Sequence, residues 1–508
     1  MTTPSEPRRR PGRRRIRHRR AGGLGGTLGL TLASTVLPGS GMVWARRRLL
    51  GVLLLVPALA LFGYLGWYVV RDPQAALAVA FDPARLTVVT GVSVGVLLVW
   101  VLNVVLTYLM VRPVERRRGQ SLLGAAFVLL MCVAVAAPLA VVARYSMVQK
   151  QVVQKVFQHN KSATAPVDVT EADPWGGRDR VNVLLLGGDG NVHREGVRTD
   201  SVVLVSMDVH TGRTVLFSLP RNLMRVPFPR RSPLHGIYPD GFTGAGDPAE
   251  WLLNAVYRNV PALHPGILGN SDNEGADAVK QAVAGALGVH VDYYLLVNLA
   301  GFRSIVQAIG GVTVNINQPI PIGGNTDLGI PPDSYLQPGP HQRLNGFEAL
   351  WFARGRYGSD DYQRMERQRC MIDAIINEAK PLNLLRRYES LAAVGQEIVR
   401  TDIPSDLLSA FVDLATTVKG SQVRSVVFRA SSQFAPSNPD YDWVHEKVRR
   451  ALRTSTGSAG HERGGGSQET TPMPSPSASP SASPGASPTV DPAEATDAAD
   501  ACGYHPVP

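Results

Sequence analysis

Residues 182–221 read NVLLLGGDGNVHREGVRTDSVVLVSMDVHTGRTVLFSLPR, and this stretch decides the fold. Three β-branched, apolar runs are separated by short polar turns, the pattern of consecutive strands. The charges sit at the ends of the runs. Asp189 closes the first after Gly187 and Gly188, Arg198 and Asp200 open the second, and Arg221 follows Pro220 at the close of the third. Strand ends are where α/β sheets build ligand sites. A second charged cluster, ARGRYGSDDYQRMERQR, fills residues 353–369. The two clusters are expected to converge on one anionic, phosphate-bearing ligand.

From residue 181 onward, strand-like and helical runs alternate. VNVLLL, SVVLVSM, TVLFSL, YYLLVNL and VTVNIN have strand character, whereas 248–258, 276–287, 299–309, 346–353 and 362–379 carry helical spacing. That order predicts an α/β fold, an α/β/α sandwich on a central mixed β-sheet, over residues 181–452. The Pro- and Gly-rich loop at 229–247 reads as a mobile flap or as a long surface loop. Helical runs at 382–399 and 405–418 and the strand-like VRSVVFRA complete the domain. Residues 453–508 are rich in Ser, Pro and Gly, cannot bury enough apolar surface to fold, and are expected to form a disordered tail.

Upstream, residues 49–70, 87–110 and 121–142 are uncharged and long enough to cross a bilayer, predicting three transmembrane helices within 49–143. The loop at 112–118 reads RPVERRR, and residues 1–48 carry twelve arginines against one acid, Glu6, which is the whole of the net charge of +11. Positive charge marks the cytoplasmic side, so three crossings place everything after residue 143 outside. A diffuse nucleic-acid-binding surface is not predicted; the leader reads as an anchor touching anionic membrane lipid. Residues 21–45 are uncharged but hold seven glycines between arginine runs, and are expected to be interfacial or re-entrant. Residues 144–180 form a connector. Cys132, Cys370 and Cys502 have neither metal-ligand spacing nor a disulfide framework; a pair between the last two and three free thiols both stay open.

A diphosphate site needs planar guanidinium donors and a divalent cation held by one or two carboxylates. Asp189, Arg198, Asp200 and Arg221 supply that mixture. Arg354 and Arg356, two apart, share a face if their segment is extended. Asp361, Arg364 and Arg367, three apart, share a helix face.

The succession LLLGGD at 184–189, RTDSVVLVS at 198–206, SLPRN at 218–222, AIGGVTVNI at 308–316, LNGFEALWFARGR at 344–356 and DYQRMERQR at 361–369 resembles the LytR-CpsA-Psr family, in its actinobacterial form. The resemblance implies a phosphotransferase that joins a polyprenyl-diphosphate-linked glycopolymer to peptidoglycan and releases polyprenyl phosphate. It implies an apolar cavity for the prenyl chain and a diphosphate bound by Arg198, Arg221, Arg354 and Arg356. Mg²⁺ would lie on Asp200 beside Asp189, and Asp361 and Arg364 would join Arg198 and Arg221 in catalysis. Phe302, Ile305, Val306 and Ile309 are candidates for the lipid pocket, with ordinary core packing an equal alternative. Two positions depart from the family pattern: Asn222 stands where many members have Asp, and Gln307 where an acid commonly precedes the Gly-Gly pair. Rival readings are a polyprenyl-diphosphate phosphohydrolase using water, a membrane-tethered regulator of envelope genes, and a silent glycan-binding module.

Overall fold

The computed structural model describes residues 21–71, 79, 82–113, 117–157, 161–188, 199–325, 329–378, 399–455, 496–497 and 502–506. Asp189, Arg198, the basic leader to residue 20, the helical run from 382 and most of the tail lie outside the described residues. The chain divides into two compact units, 1–151 and 152–508.

In the first unit, α1 (Leu24–Val36) and α2 (Ser40–Trp44) precede α3 (Arg48–Arg71), α4 (Pro83–Val111) and the greater part of α5 (Arg118–Phe157). Among the described residues, three helices are long and apolar enough to cross a membrane, in the last three of these elements. Residues 21–45 are neither a span nor a loop: α1 and α2 pack on α4 through a polar seam. Asn103 Nδ2 donates to Ser34 O at 2.9 Å, its Oδ1 accepts from Gly39 N at 3.1 Å, and the Ser34 and Thr107 hydroxyls lie 3.0 Å apart. Asn103 thus satisfies backbone that the α1–α2 turn leaves open, as a low-dielectric environment demands. The third apolar segment gives way to the polar connector after residue 143. The helix-prone start of the connector joins it without a break, as the Gln and Lys of QKQVVQKV favour, and the helix runs on to Phe157.

The second unit follows in the order β1 (Arg180–Gly188), β2 (Thr199–Asp208), β3 (Thr214–Leu219), α6 (Pro233–Ile237), α7 (Val256–Leu263), α8 (Glu274–Leu287), β4 (Tyr293–Asn298), α9 (Leu299–Ile309), β5 (Val312–Ile316), β6 (Ile320–Asn325), β7 (Ile330–Leu336), β8 (Gly339–Leu344), α10 (Gly346–Arg354), α11 (Asp361–Glu378), β9 (Val399–Thr401), α12 (Leu408–Lys419), β10 (Val423–Val427), α13 (Tyr441–Ser455) and β11 (Thr496–Asp497). A seven-stranded sheet runs β11-β10-β3-β2-β1-β4-β9. It is mixed: β1 pairs antiparallel with β2 and parallel with β4, and β3 pairs parallel with β10. One face buries Leu184, Leu186, Val202, Leu204 and Phe217 against α8 and α13. The other packs Val183, Tyr293 and Leu295 against α12. A third cluster joins α9, α10 and α11 to β5 and β8. The α/β/α architecture is therefore present. VTVNIN, however, lies outside this sheet and, among the described residues, pairs with β8 in a separate two-stranded sheet.

The loop at 229–247 is anchored: Tyr238 and Phe242 are buried, edge-on to each other at 5.3 Å. The connector is pinned too, since Asp277 accepts from Ser162 Oγ at 2.6 Å and Ala163 N at 3.1 Å. Behind it Lys280, fully buried, donates to Asp402 Oδ2 at 2.7 Å and Asp292 O at 2.8 Å, and Asp402 Oδ1 accepts from Tyr294 N at 2.7 Å. Within the region expected to be a tail, Thr496 and Asp497 pair with β10. Cys502 forms a disulfide with Cys370 of α11, resolving the pairing that the sequence left open. Asn315 Nδ2 donates to Cys502 O at 2.8 Å and Asn317 Nδ2 to Gly503 O at 3.1 Å, fastening the same segment to β5 and the turn after it.

Candidate functional site

The sheet register sets the site. Val202 pairs with Leu219, so two residues outward Asp200 and Arg221 stand opposite each other on one face. Arg221 then reaches two carboxylates: NH1 lies 2.7 Å from Asp200 Oδ1, and Nε 3.1 Å from Asp361 Oδ2. Burial alone would pull the Arg221 guanidinium down, but Asp200 and then Asp361 more than offset this and hold it above its ordinary value.

Asp361 opens α11, whose backbone Gln363 N–H is capped by Asp360 Oδ1 at 2.7 Å. One turn on, Arg364 NH1 lies 3.2 Å from Asp361 Oδ1. Arg364 is only 4 % exposed, and its buried Nε has no acceptor among the described residues. Burial lowers its pKa, so this is a costly cation with an open donor. A bound anion would satisfy both defects.

Arg354 and Arg356 arrive on a different device. The LNGFE motif folds as a capping box that starts α10: Asn345 Oδ1 accepts from Phe347 N at 2.8 Å and Glu348 N at 3.1 Å, and Glu348 returns a bond to Asn345 N at 2.9 Å. The helix stops at Gly355, where a Cβ would lie 2.6 Å from Pro321 O, so only glycine lets the turn sit against β6. Arg367 braces this turn from beneath, donating to Phe352 O at 2.8 Å and to Gly355 O. Burial, then the neighbouring Arg364, brings Arg367 down to about 10, still charged at neutral pH. Its role is structural, although the sequence pattern put it with Asp361 and Arg364.

Asp200, Arg354, Arg356 and Arg364 line a cavity of about 460 Å³ between the sheet and α9, α10 and α11. Its deeper wall is Leu185, Val203, Leu295, Met371, Ile372 and Ile375. That volume lies in the range of roughly 300–1,000 Å³ usual for ligand pockets. Of the residues expected to form a lipid pocket, Phe302 and Ile305 line the cavity. Val306 and Ile309 do not; they are buried in the cluster with Val312, Leu344 and Phe352. All four lie on one apolar stripe of α9, and within that stripe Val306 and Ile309 are covered by β5, β8 and α10. Sequence reasoning missed Met371, Ile372 and Ile375, whose apolar spacing on α11 was the available signal, and Trp351 and Tyr357 at the cavity wall.

A divalent cation would find two carboxylates, Asp200 and Asp361, beside the place where ligand phosphates would lie. Mg²⁺ is commonly held by one or two carboxylates and substrate phosphates, so this donor set fits. Among the described residues there is no cluster of three or more His, Cys, Asp or Glu able to hold a metal without such a ligand.

The family profile described as "LytR_cpsA_psr family" matches residues 144–452. The chain is 28% identical over 242 residues to a polyisoprenyl-teichoic acid–peptidoglycan teichoic acid transferase TagU of Oceanobacillus iheyensis, covering 46% of this chain and 62% of that one. It is also 28% identical over 269 residues to the TagU transferase of Bacillus cereus, covering 52% and 72%. The crystal structure of B. subtilis TagV aligns with a TM-score of 0.37 at 22% identity, over 55% of this chain and 97% of that one.

Proposed function

The chain belongs to the LytR_cpsA_psr family, and on that premise we propose that it transfers a polyprenyl-diphosphate-linked glycopolymer to peptidoglycan at the outer face of the membrane. One observation carries the reading: Asp200, Arg354, Arg356 and Arg364 line one largely apolar cavity, and Arg221 and Asp361 are joined to Asp200 and Arg364 by ion pairs. A lipid diphosphate has the same two parts. The prenyl chain fits the Leu- and Ile-lined wall and the two phosphates fit the guanidinium groups.

In the proposed reaction a sugar hydroxyl of peptidoglycan attacks the glycan-side phosphorus. A new phosphodiester P–O bond forms, the bridging P–O bond breaks, and polyprenyl phosphate leaves with its electron pair. Arg364 and Arg221 would stabilise charge on the phosphates as the bond breaks, in a site where preorganised donors act strongly. Both Asp361 oxygens are held by guanidinium groups, Oδ2 by Arg221 and Oδ1 by Arg364. A diphosphate that draws Arg221 and Arg364 toward itself would release Asp361 to orient the acceptor hydroxyl and take up its proton. Mg²⁺, when bound at Asp200, would neutralise phosphate charge. Asp189 and Arg198 are proposed for the metal and the diphosphate from the family pattern alone.

Three membrane-length helices precede the domain, which fits anchoring in a membrane. An external orientation is favoured by the basic leader and RPVERRR loop, and by the Cys370–Cys502 disulfide, because such bonds persist in oxidising compartments. The test uses the full chain in detergent with a prenyl-diphosphate oligosaccharide donor and a peptidoglycan oligosaccharide acceptor, followed by mass spectrometry. Acceptor-dependent release of prenyl phosphate together with a glycan–peptidoglycan phosphodiester is expected. Equal release with and without acceptor would make the protein a phosphohydrolase instead.

A further inference from the structure

Phe347, Trp351 and Arg354 fall at one, five and eight residues into α10, on one face of the helix. Trp351 lines the cavity, while Phe347 is 40% exposed, and the two rings meet edge-on with centroids 6.4 Å apart. Each carries a guanidinium: Arg354 lies 5.5 Å from the Trp351 ring centre and Arg303, from exposed positions on α9, lies 5.4 Å from that of Phe347. The buried Trp351 Nε1 has no acceptor among the described residues. At 1.5 Å per residue the stripe extends about 10 Å from Arg354 outward.

We infer that this stripe binds the first sugars of the donor glycan and helps to select an anionic polymer. The inference rests on the transfer reaction proposed above. Arg354 belongs to the diphosphate head, and the glycan begins at the next phosphate oxygen, so whatever leaves the head along α10 meets Trp351 and then Phe347. Ring faces accept the C–H faces of pyranoses, the indole N–H can donate to a sugar hydroxyl or phosphate, and the flanking guanidinium groups suit acidic or phosphorylated repeats. Hydrocarbon is the poorer occupant, because two exposed cations flank the rings while the cavity beside them is walled with Leu, Ile and Met. Phe347 and Arg303 make no contact that the diphosphate head needs, so they can be altered separately from it.

The experiment compares full-length wild type, F347A and R303Q in detergent, measuring affinity for prenyl diphosphate and for prenyl diphosphate bearing a phosphorylated disaccharide. Wild type is expected to bind the sugar-bearing ligand more tightly. Each variant should lose roughly tenfold for that ligand alone, the size of one cation–π or aromatic contact. Variants that keep the wild-type preference, or that lose both ligands equally, overturn the inference and leave the transfer reaction standing. A wild-type protein that binds neither ligand overturns the transfer reading and this inference together.

Discussion

Replacing Arg221 with Gln separates ligand binding from stability. Its side chain is 24% exposed and its carboxylate partners are 39% and 28% exposed, so solvent screens both ion pairs, and the pairs themselves contribute about 0–1 kcal/mol each to folding. Binding is different. A charge-assisted hydrogen bond to a phosphate is worth about 1.5–3 kcal/mol, and removing the cation also leaves Asp200 and Asp361 to repel the incoming anion. R221Q should therefore weaken prenyl diphosphate binding by about 10- to 150-fold with little change in Tm. R221K keeps the charge but not the fork that spans two carboxylates, and should fall between. The assay is displacement of a fluorescent prenyl diphosphate at fixed ionic strength, with thermal melting of the same samples. R221Q binding within twofold of wild type would refute the placement of the phosphates at this guanidinium.

Three further outcomes follow from buried charge. Lys280→Met strands Asp402, which is 1% exposed, and should cost about 3–5 kcal/mol in denaturant unfolding; a loss below 1 kcal/mol would mean that water reaches the carboxylate. Arg369 is 4% exposed, burial brings it down to about 10, and among the described residues its hydrogen-bond partner is the Ser425 hydroxyl, so Arg369→Met should be neutral or stabilising by up to about 4 kcal/mol; a clear fall in Tm would reveal a counter-charge. Burial, opposed by the Asn182 N–H and His290, holds the Asp292 carboxyl above its ordinary value. The folded state then binds the extra proton, so wild type should lose stability relative to D292N as pH rises from about 4 and level off above the folded pKa. Urea titrations from pH 3.5 to 7 check this, and a wild-type stability that rises relative to D292N over that range would contradict it.

The first four strands and the helices at 299–309 and 346–353 were legible because alternation and capping residues are local signals. The charges at strand ends were legible for the same reason, and Asp200, Arg221, Asp361 and Arg364 meet in one place. What stayed hidden depends on distant partners. DYQRMERQR looks like a solvated helix, yet Arg364, Arg367 and Arg369 are all buried, because their acceptors sit on α10, on β10 and, in the case of Arg364, at Asp361 and Asp200. β6 and β7 contain Pro321, Pro331 and Pro332, which argue against strands; they form an isolated two-stranded pair, outside the central sheet where proline would break a ladder. Phe302, Ile305, Val306 and Ile309 share one apolar stripe of α9, so periodicity could not say which of them meets the cavity and which meets β5 and α10.

The Cys370–Cys502 bond closes a ring of chain between residues 132 apart in sequence, and β9, α12, β10 and α13 all lie within it. A protease that cuts once between residues 371 and 501 therefore opens the ring without releasing a fragment. Nicked protein would migrate as one species until a reductant is added, and would then separate into two pieces. Outside a reducing compartment, a single scission in the Ser- and Pro-rich stretch leaves the chain in one covalent piece.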